Sequence, residues 1–218
     1  MNLKAVIFDM DGVIVDSEPI ESMAWEKVLA RYGKTPFYHP WGLIHAPGEP
    51  TINGIIEKYN FPKEEVELIR VLKRNFFEEI VSEGIKPLLG MSQLIKKLKK
   101  AKIKIGVASG RNEKQVLVVI RELHFNEFFD QIVGFNEEVK RKPAPDVYLK
   151  AANLLKVKTL YCMAIEDTEN GVKAAKAAGM KVIAVPNKWT AHQNFSKADR
   201  VVSSLSEITM SMLKDLGQ

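Results

Sequence analysis

The stretch Ala5-Val6-Ile7-Phe8-Asp9-Met10-Asp11-Gly12-Val13 decides the reading of this chain. Apolar, β-branched and aromatic residues crowd its first four positions, the pattern of a short buried strand. Such a strand has no structural use for two carboxylates at its end. On an extended backbone residues i and i+2 point the same way, so Asp9 and Asp11 face one spot. Like charges that close repel unless a cation or a proton lies between them. Gly12 then lets the chain turn sharply or lets a ligand approach the backbone. A metal-assisted phosphate site is the simplest chemistry this layout serves; an acidic loop that caps a helix is the plain alternative.

Further along, apolar strand candidates recur at Ile103–Ala108, Gln131–Val133, Leu160–Ile165, Lys181–Val185 and Arg200–Val202. Helical three-to-four spacing separates most of them, over Met91–Lys100, Glu113–Leu123, Asp146–Leu155, Gly171–Ala178 and Ser204–Leu213. Gly179 follows the Ala174–Ala178 run as a helix-ending glycine should. Alternating strand and helix predicts an α/β fold with an open parallel sheet covered on both faces.

The first crossover is anomalous. Far more chain lies between Phe8 and Ile103 than the dozen or so residues a βα connection needs. It holds helical patterns near Ile20–Arg31, Thr51–Tyr59 and Lys63–Val81, with Tyr38–Gly48 reading as a loop rich in Pro, Gly, His and Trp. A helical insertion after the first strand is expected above the carboxyl end of the sheet, where open α/β folds bind ligands. There it can exclude water and choose the substrate. Residues 1–16 and 86–218 are assigned to the sheet domain and 17–85 to the insertion.

Composition sets the outer limits. The chain has 218 residues, 46% of them hydrophobic and 27% charged, ordinary for a soluble globular protein. A single cysteine, Cys162, excludes an intrachain disulfide and suits a reducing compartment. No apolar run approaches the ~20 residues that span a bilayer. The first residues start a strand almost at once rather than a signal-peptide layout. A cytoplasmic protein without membrane contact is expected. The net charge of +5 raises nucleic acid as a ligand. The densest basic run, Lys96-Lys97-Leu98-Lys99-Lys100-Ala101-Lys102, keeps a helical apolar stripe and has no interleaved aromatics to stack bases. It reads as a solvated helix end, and no nucleic-acid or obligate protein partner is expected.

Three later segments supply what the paired aspartates lack. Val107-Ala108-Ser109-Gly110-Arg111-Asn112 ends a strand and opens a helix, placing a hydroxyl and amides where phosphate oxygens bind well. Ser109 or Asn112 alternatively serves as the helix cap, and Arg111 reaches either phosphate or solvent. Lys140-Arg141-Lys142-Pro143-Ala144-Pro145-Asp146 is stiffened by its prolines, and Lys142 is its best inward charge. Cys162-Met163-Ala164-Ile165-Glu166-Asp167-Thr168 ends a buried strand in adjacent carboxylates, oxygen ligands of the sort Mg²⁺ takes. Asp167 or Thr168 as a helix cap is the alternative there. Acids, hydroxyl, lysine and acids thus close successive strands.

In that order the residues resemble the haloacid dehalogenase superfamily, in its subgroup of small phosphatases and β-phosphoglucomutases with a helical cap. Asp9-Met10-Asp11-Gly12-Val13-Ile14-Val15-Asp16-Ser17-Glu18 is similar to that family's first motif. Ser109, Lys142-Pro143-Ala144-Pro145-Asp146 and Glu166-Asp167 fit the second, third and fourth, and Gly171, Ala174-Ala175 and Ala178-Gly179 fit the helix that follows. The resemblance implies a Rossmann-like doubly wound core with an inserted α-helical cap. It implies Asp9 as a nucleophile forming an aspartyl-phosphate and Asp11 as general acid and base. It implies Mg²⁺ held by Asp9, Asp167 and the main-chain carbonyl of Asp11, with Glu166 contributing directly or through water. Lys142 and Ser109 are implied as phosphate ligands, and a small phosphorylated metabolite as the substrate.

The cap departs from mutase members of the family. They carry a histidine roughly where this chain has Glu21, and a cap loop with an arginine where the nearest stretch here is Ala46-Pro47-Gly48-Glu49-Pro50-Thr51. Both departures favour a phosphomonoesterase over a β-phosphoglucomutase. A silent phosphate-ligand-binding protein and a dehalogenase are further alternatives; the second aspartate argues for phosphoryl transfer. Trp25 follows the apolar stripe of its helix and reads as packing, and His39, Trp41 and His45 as surface or packing residues.

Overall fold

A computed structural model describes residues 3–35 and 52–217. Their contacts divide the chain into two units, Met1–Asp16 with Lys86–Gln218, and Ser17–Ile85.

The first unit is built on six strands: β1 Ala5–Phe8, β2 Lys104–Asn112, β3 Gln131–Phe135, β4 Cys162–Glu166, β5 Lys181–Ala184 and β6 Arg200–Val201. Their order in the sheet is β3-β2-β1-β4-β5-β6, every pairing parallel. The chain therefore winds outward from β1 in one direction, returns, and winds outward from β4 in the other. The carboxyl ends of β1 and β4 form the switch point where such sheets bind ligands. Both faces are covered. Ala5, Ile7, Cys162, Ala164, Val182 and Ala184 pack with α6 (Asp146–Leu154) and α7 (Glu169–Ala177). The alternating positions Val6, Phe8, Met163, Ile165 and Ile183 are fully buried as well. The helices α4 (Met91–Lys100), α5 (Glu113–Glu122) and α8 (Met210–Leu216) complete the unit.

Two element assignments need correction. The apolar run at Leu160 suggests a strand, yet Thr159–Tyr161 forms a 3-10 turn with Leu160 60% exposed, and β4 begins at Cys162. The pattern Ser204–Leu213 is two pieces, a 3-10 turn over Leu205–Glu207 and then α8. The hydroxyls of Ser204 and Thr209 each take a main-chain N–H, from Ser206 and Met212, and start separate turns. By contrast Gly179, at φ +79°, ends α7 where a glycine is required.

The second unit holds α1 (Glu18–Arg31), α2 (Ile52–Lys58), a 3-10 turn Lys63–Glu65 and α3 (Val66–Ser82). Its core gathers Trp25, Val28, Leu29, Ile55, Ile56, Tyr59, Phe61 and Ile69. Trp25 is a packing residue, and burying each such large side chain stabilises by about 1.5–3 kcal/mol. Glu21 on α1 is also buried and pairs with Lys73 on α3. His39, Trp41, His45 and the Ala46–Thr51 stretch lie outside the described residues.

Candidate active site

Parallel pairing sets Phe8 beside Ile165, so Asp9 leaves β1 next to the end of β4, its N–H donating to the Ile165 carbonyl at 2.9 Å. The chain then turns back: Gly12 donates to the Val15 carbonyl at 2.8 Å, and Ile14 and Val15 donate to that of Met10. Gly12 stands at φ +74°, and a Cβ there would lie 2.1 Å from Asp167 Oδ2. Only glycine lets this turn pass the β4 acids.

Lys142 reaches in from the β3–α6 connection. Its Nζ donates to Asp9 Oδ1, to Glu166 Oε1 at 2.6 Å and to the Ala108 carbonyl at 3.0 Å. Burial alone would pull this ammonium down; the Asp9 and Glu166 charges overcome it and hold it well above the usual lysine range. Burial pushes Asp9 up to about 7 against the pull of Lys142, with Glu166 and Asp11 adding to the rise.

Glu166 is fully buried and saturated with donors. Oε1 accepts from Lys142 and from the Tyr148 hydroxyl at 2.8 Å. Oε2 accepts from the Asp167 and Thr168 N–H groups and the Thr168 hydroxyl, at 3.0, 3.2 and 3.1 Å. Thr168 also caps α7 by accepting from Gly171. A Cβ on Gly171 would fall 1.8 Å from Glu166 Oε1.

At the end of β2 the cap of α5 is Asn112, which accepts from Gln115 N–H at 3.0 Å. Ser109 is thereby not spent as the cap; fully buried, its Oγ accepts from Arg111 N–H at 3.1 Å and keeps its own proton to give. Arg111 Nε lies 2.8 and 2.9 Å from the two oxygens of Asp11, tying the second aspartate to the β2 end.

Asp167 differs from its neighbour Glu166. It is 4% exposed, Oδ2 accepts from Asn187 Nδ2 at 2.8 Å, and Oδ1 is buried with no hydrogen-bond partner. Burial first, then the charges of Glu166 and Asp9, hold its carboxyl well above the usual carboxylate range. A buried acid oxygen without a donor fits a hard divalent cation such as Mg²⁺, which takes oxygen ligands. Among the described residues no three His, Cys, Asp or Glu side chains form a ready-made ion cage. Glu166 takes five donors and Asp11 takes Arg111 Nε, whereas Asp167 Oδ1 takes none.

The structure thus joins Asp9, Lys142 and Glu166 directly and sets Asp167 within electrostatic reach of Asp9 and Glu166. Asp11 and Ser109 meet through Arg111. Sequence reasoning passed over Tyr148, which sits on the apolar stripe of α6, and Asn187, an isolated polar residue after β5. Arg111, read as reaching either phosphate or solvent, is held against Asp11 and stays partly exposed. The Val-Pro-Asn step after β5 was the available signal for Asn187, since a fifth strand of a switch-point fold also ends near the site.

Residues 6–185 match the family model described as haloacid dehalogenase-like hydrolase. The β-phosphoglucomutase of Bacillus subtilis is 34% identical over 98% of this chain and 95% of its own. The phosphorylated carbohydrates phosphatase of Thermotoga maritima is 31% identical over 83% and 84%. CbbY from Rhodobacter sphaeroides, solved in complex with phosphate, superposes with a TM-score of 0.85 at 27% identity, covering 97% of this chain and 99% of that one. With most of its length matched by the family model, the chain belongs to the haloacid dehalogenase-like hydrolases.

Proposed function

We propose that this protein is a Mg²⁺-dependent phosphomonoesterase of small phosphorylated metabolites that works through an aspartyl-phosphate on Asp9. The observation that carries the reading is the Lys142 ammonium fixed between Asp9 and Glu166 at the switch point of the sheet. An Asp9 oxygen attacks phosphorus as the bond from phosphorus to the substrate oxygen breaks. Asp11, turned away from Arg111 and protonated, gives its proton to the leaving alcohol, then takes one from the water that attacks the acyl phosphate. Free phosphate departs and Asp9 is restored. Lys142 and the Ser109 hydroxyl hold the other phosphate oxygens, and Glu166 keeps Lys142 in place. Positioning and charge neutralisation of this sort account for most phosphoryl-transfer catalysis. Asp9 and Asp167 would hold Mg²⁺, together with the Asp11 carbonyl; bound there, the ion supplies positive charge that lets a carboxylate approach a phosphate dianion. The phosphatase of Thermotoga maritima supports the reaction type.

A second reading, phosphotransfer between sugar phosphates, is favoured by the Bacillus subtilis relative. The ion pair of Glu21 with Lys73, where mutases carry histidine, weighs against it. Phosphate release across a panel of sugar phosphates and nucleotides tests the proposal. The wild type should release phosphate, a chelator should stop it and added Mg²⁺ restore it, and Asp9→Asn should lose on the order of 10⁴-fold or more while staying folded. Turnover by Asp9→Asn at the wild-type rate removes the nucleophile. Glucose 6-phosphate formed from β-glucose 1-phosphate plus a trace of glucose 1,6-bisphosphate, without phosphate release, selects the mutase.

A further inference from the structure

Asn187 belongs to none of the four strand-end motifs, yet it touches the acid of the last one. The segment from Asn187 to Ala191 is folded around its backbone and amide. Asn187 N–H donates to the buried Thr190 hydroxyl at 3.1 Å, and the Thr190 and Ala191 N–H groups return to the Asn187 carbonyl at 3.1 and 2.9 Å. Trp189 N–H donates to Asn187 Oδ1 at 2.8 Å, and its indole Nε1 donates to Asp16 Oδ1 at 3.1 Å. Because Oδ1 is claimed by that N–H, the amide can present only Nδ2 to the site. One acceptor of Nδ2 is Asp167 Oδ2 at 2.8 Å and the other, at 3.4 Å, is the Gly12 carbonyl.

We propose that Asn187 is a positioning residue for the divalent-cation site, its amide turning Asp167 so that Oδ1 is reserved for the ion. The inference rests on the phosphatase reading above. The two acids that close β4 carry the argument. Glu166 receives five donors and has no lone pair to spare for an ion. Asp167, just as buried, receives one, and its second oxygen is orphaned. A buried orphan is costly unless something fills it. The donor is also neutral. A lysine in place of Asn187 would bring its own positive charge and oppose the cation, whereas an amide fixes the carboxylate and leaves its charge to the ion. Clearance for the arrangement comes from Gly12, whose Cβ would lie 2.6 Å from Asn187 Nδ2.

The test measures Mn²⁺ binding to the full chain by titration calorimetry, with no substrate present. Asn187→Ala should raise the Mn²⁺ dissociation constant by about 10–100-fold, as loss of a residue that orients a ligand does. Asn187→Leu, which fills the space without a donor, should do the same and carries the test if the alanine variant does not fold. Leu205→Ala, in the buried part of the same unit, lowers thermal stability and should keep the wild-type constant. With excess Mg²⁺ the kcat of Asn187→Ala should return toward wild type, since Asp167 itself remains. A folded Asn187 variant with the wild-type constant, while Asp167→Ala has lost Mn²⁺, overturns the inference and leaves the phosphatase reading standing. Equal Mn²⁺ binding by wild type and Asp167→Ala removes the cation assignment, and this inference with it.

Discussion

Each unit of this protein buries a lysine against a carboxylate to almost the same degree, and the two clusters are built for different ends. Lys142 is 12% exposed at its side chain and Lys73 13%. Lys73, on α3, meets Glu21 on α1 and lies over the Phe77 ring. It joins two helices of the small unit. Lys142 meets two acids from different strands, a tyrosine hydroxyl and a main-chain carbonyl, while a third acid, Asp167, feels its charge. Buried ion pairs are weak devices for stability, because removing two charges from water costs nearly what their attraction returns. A pair that joins helices is therefore open to replacement by apolar residues. A cluster in which acids outnumber the lysine is not, because apolar replacement of the lysine strands the remaining acids.

The sharpest way to break the comparison is Lys142→Met. It should lower phosphate release by about 10²–10³-fold, the cost of losing a preorganised charge. It should also destabilise the fold by about 3–5 kcal/mol by stranding Asp9 and Glu166; phosphate release and urea unfolding on one preparation give both numbers. Lys73→Met should cost a similar 3–5 kcal/mol, but the double variant Lys73→Met with Glu21→Leu should recover it, being neutral or even more stable by urea midpoint. No matching rescue is expected on adding Glu166→Leu to Lys142→Met, because activity stays lost whatever the stability does. The smallest effect belongs to Tyr148→Phe. It removes one hydrogen bond to a charged acceptor, worth about 1.5–3 kcal/mol, and should reduce turnover by less than about tenfold.

The sheet and its acidic ends were legible because each signal is local. Ala5–Phe8 with Asp9 and Asp11, or Cys162–Ile165 with Glu166 and Asp167, can be read within ten residues. The partners of those acids were not, because they arrive from far along the chain. Tyr148 sits on the stripe of apolar residues that faces the core, so its ring reads as filling; only the hydroxyl, meeting Glu166, reveals the second task. Arg111 needed the turn at Gly12 before Asp11 stood within reach. Asn187 follows Gly12 by most of the chain and meets it only because β5 lies one strand beyond β4. Leu160 shows the opposite error, a local apolar signal overruled by the hydrogen bond from Tyr161 to Lys158 that turns the segment outward.

Gly171 carries a lesson for anyone who tries to harden this scaffold. It lies in the first turn of α7, where exchanging glycine for alanine is a standard improvement worth about 0.4–1 kcal/mol. Here the added methyl would land within the Glu166 carboxylate. The helix would have to slide or the acid swing away, and either motion loosens the grip on Lys142. The exchange that usually raises melting should here lower melting and turnover together, so the position belongs on the list of sites left untouched.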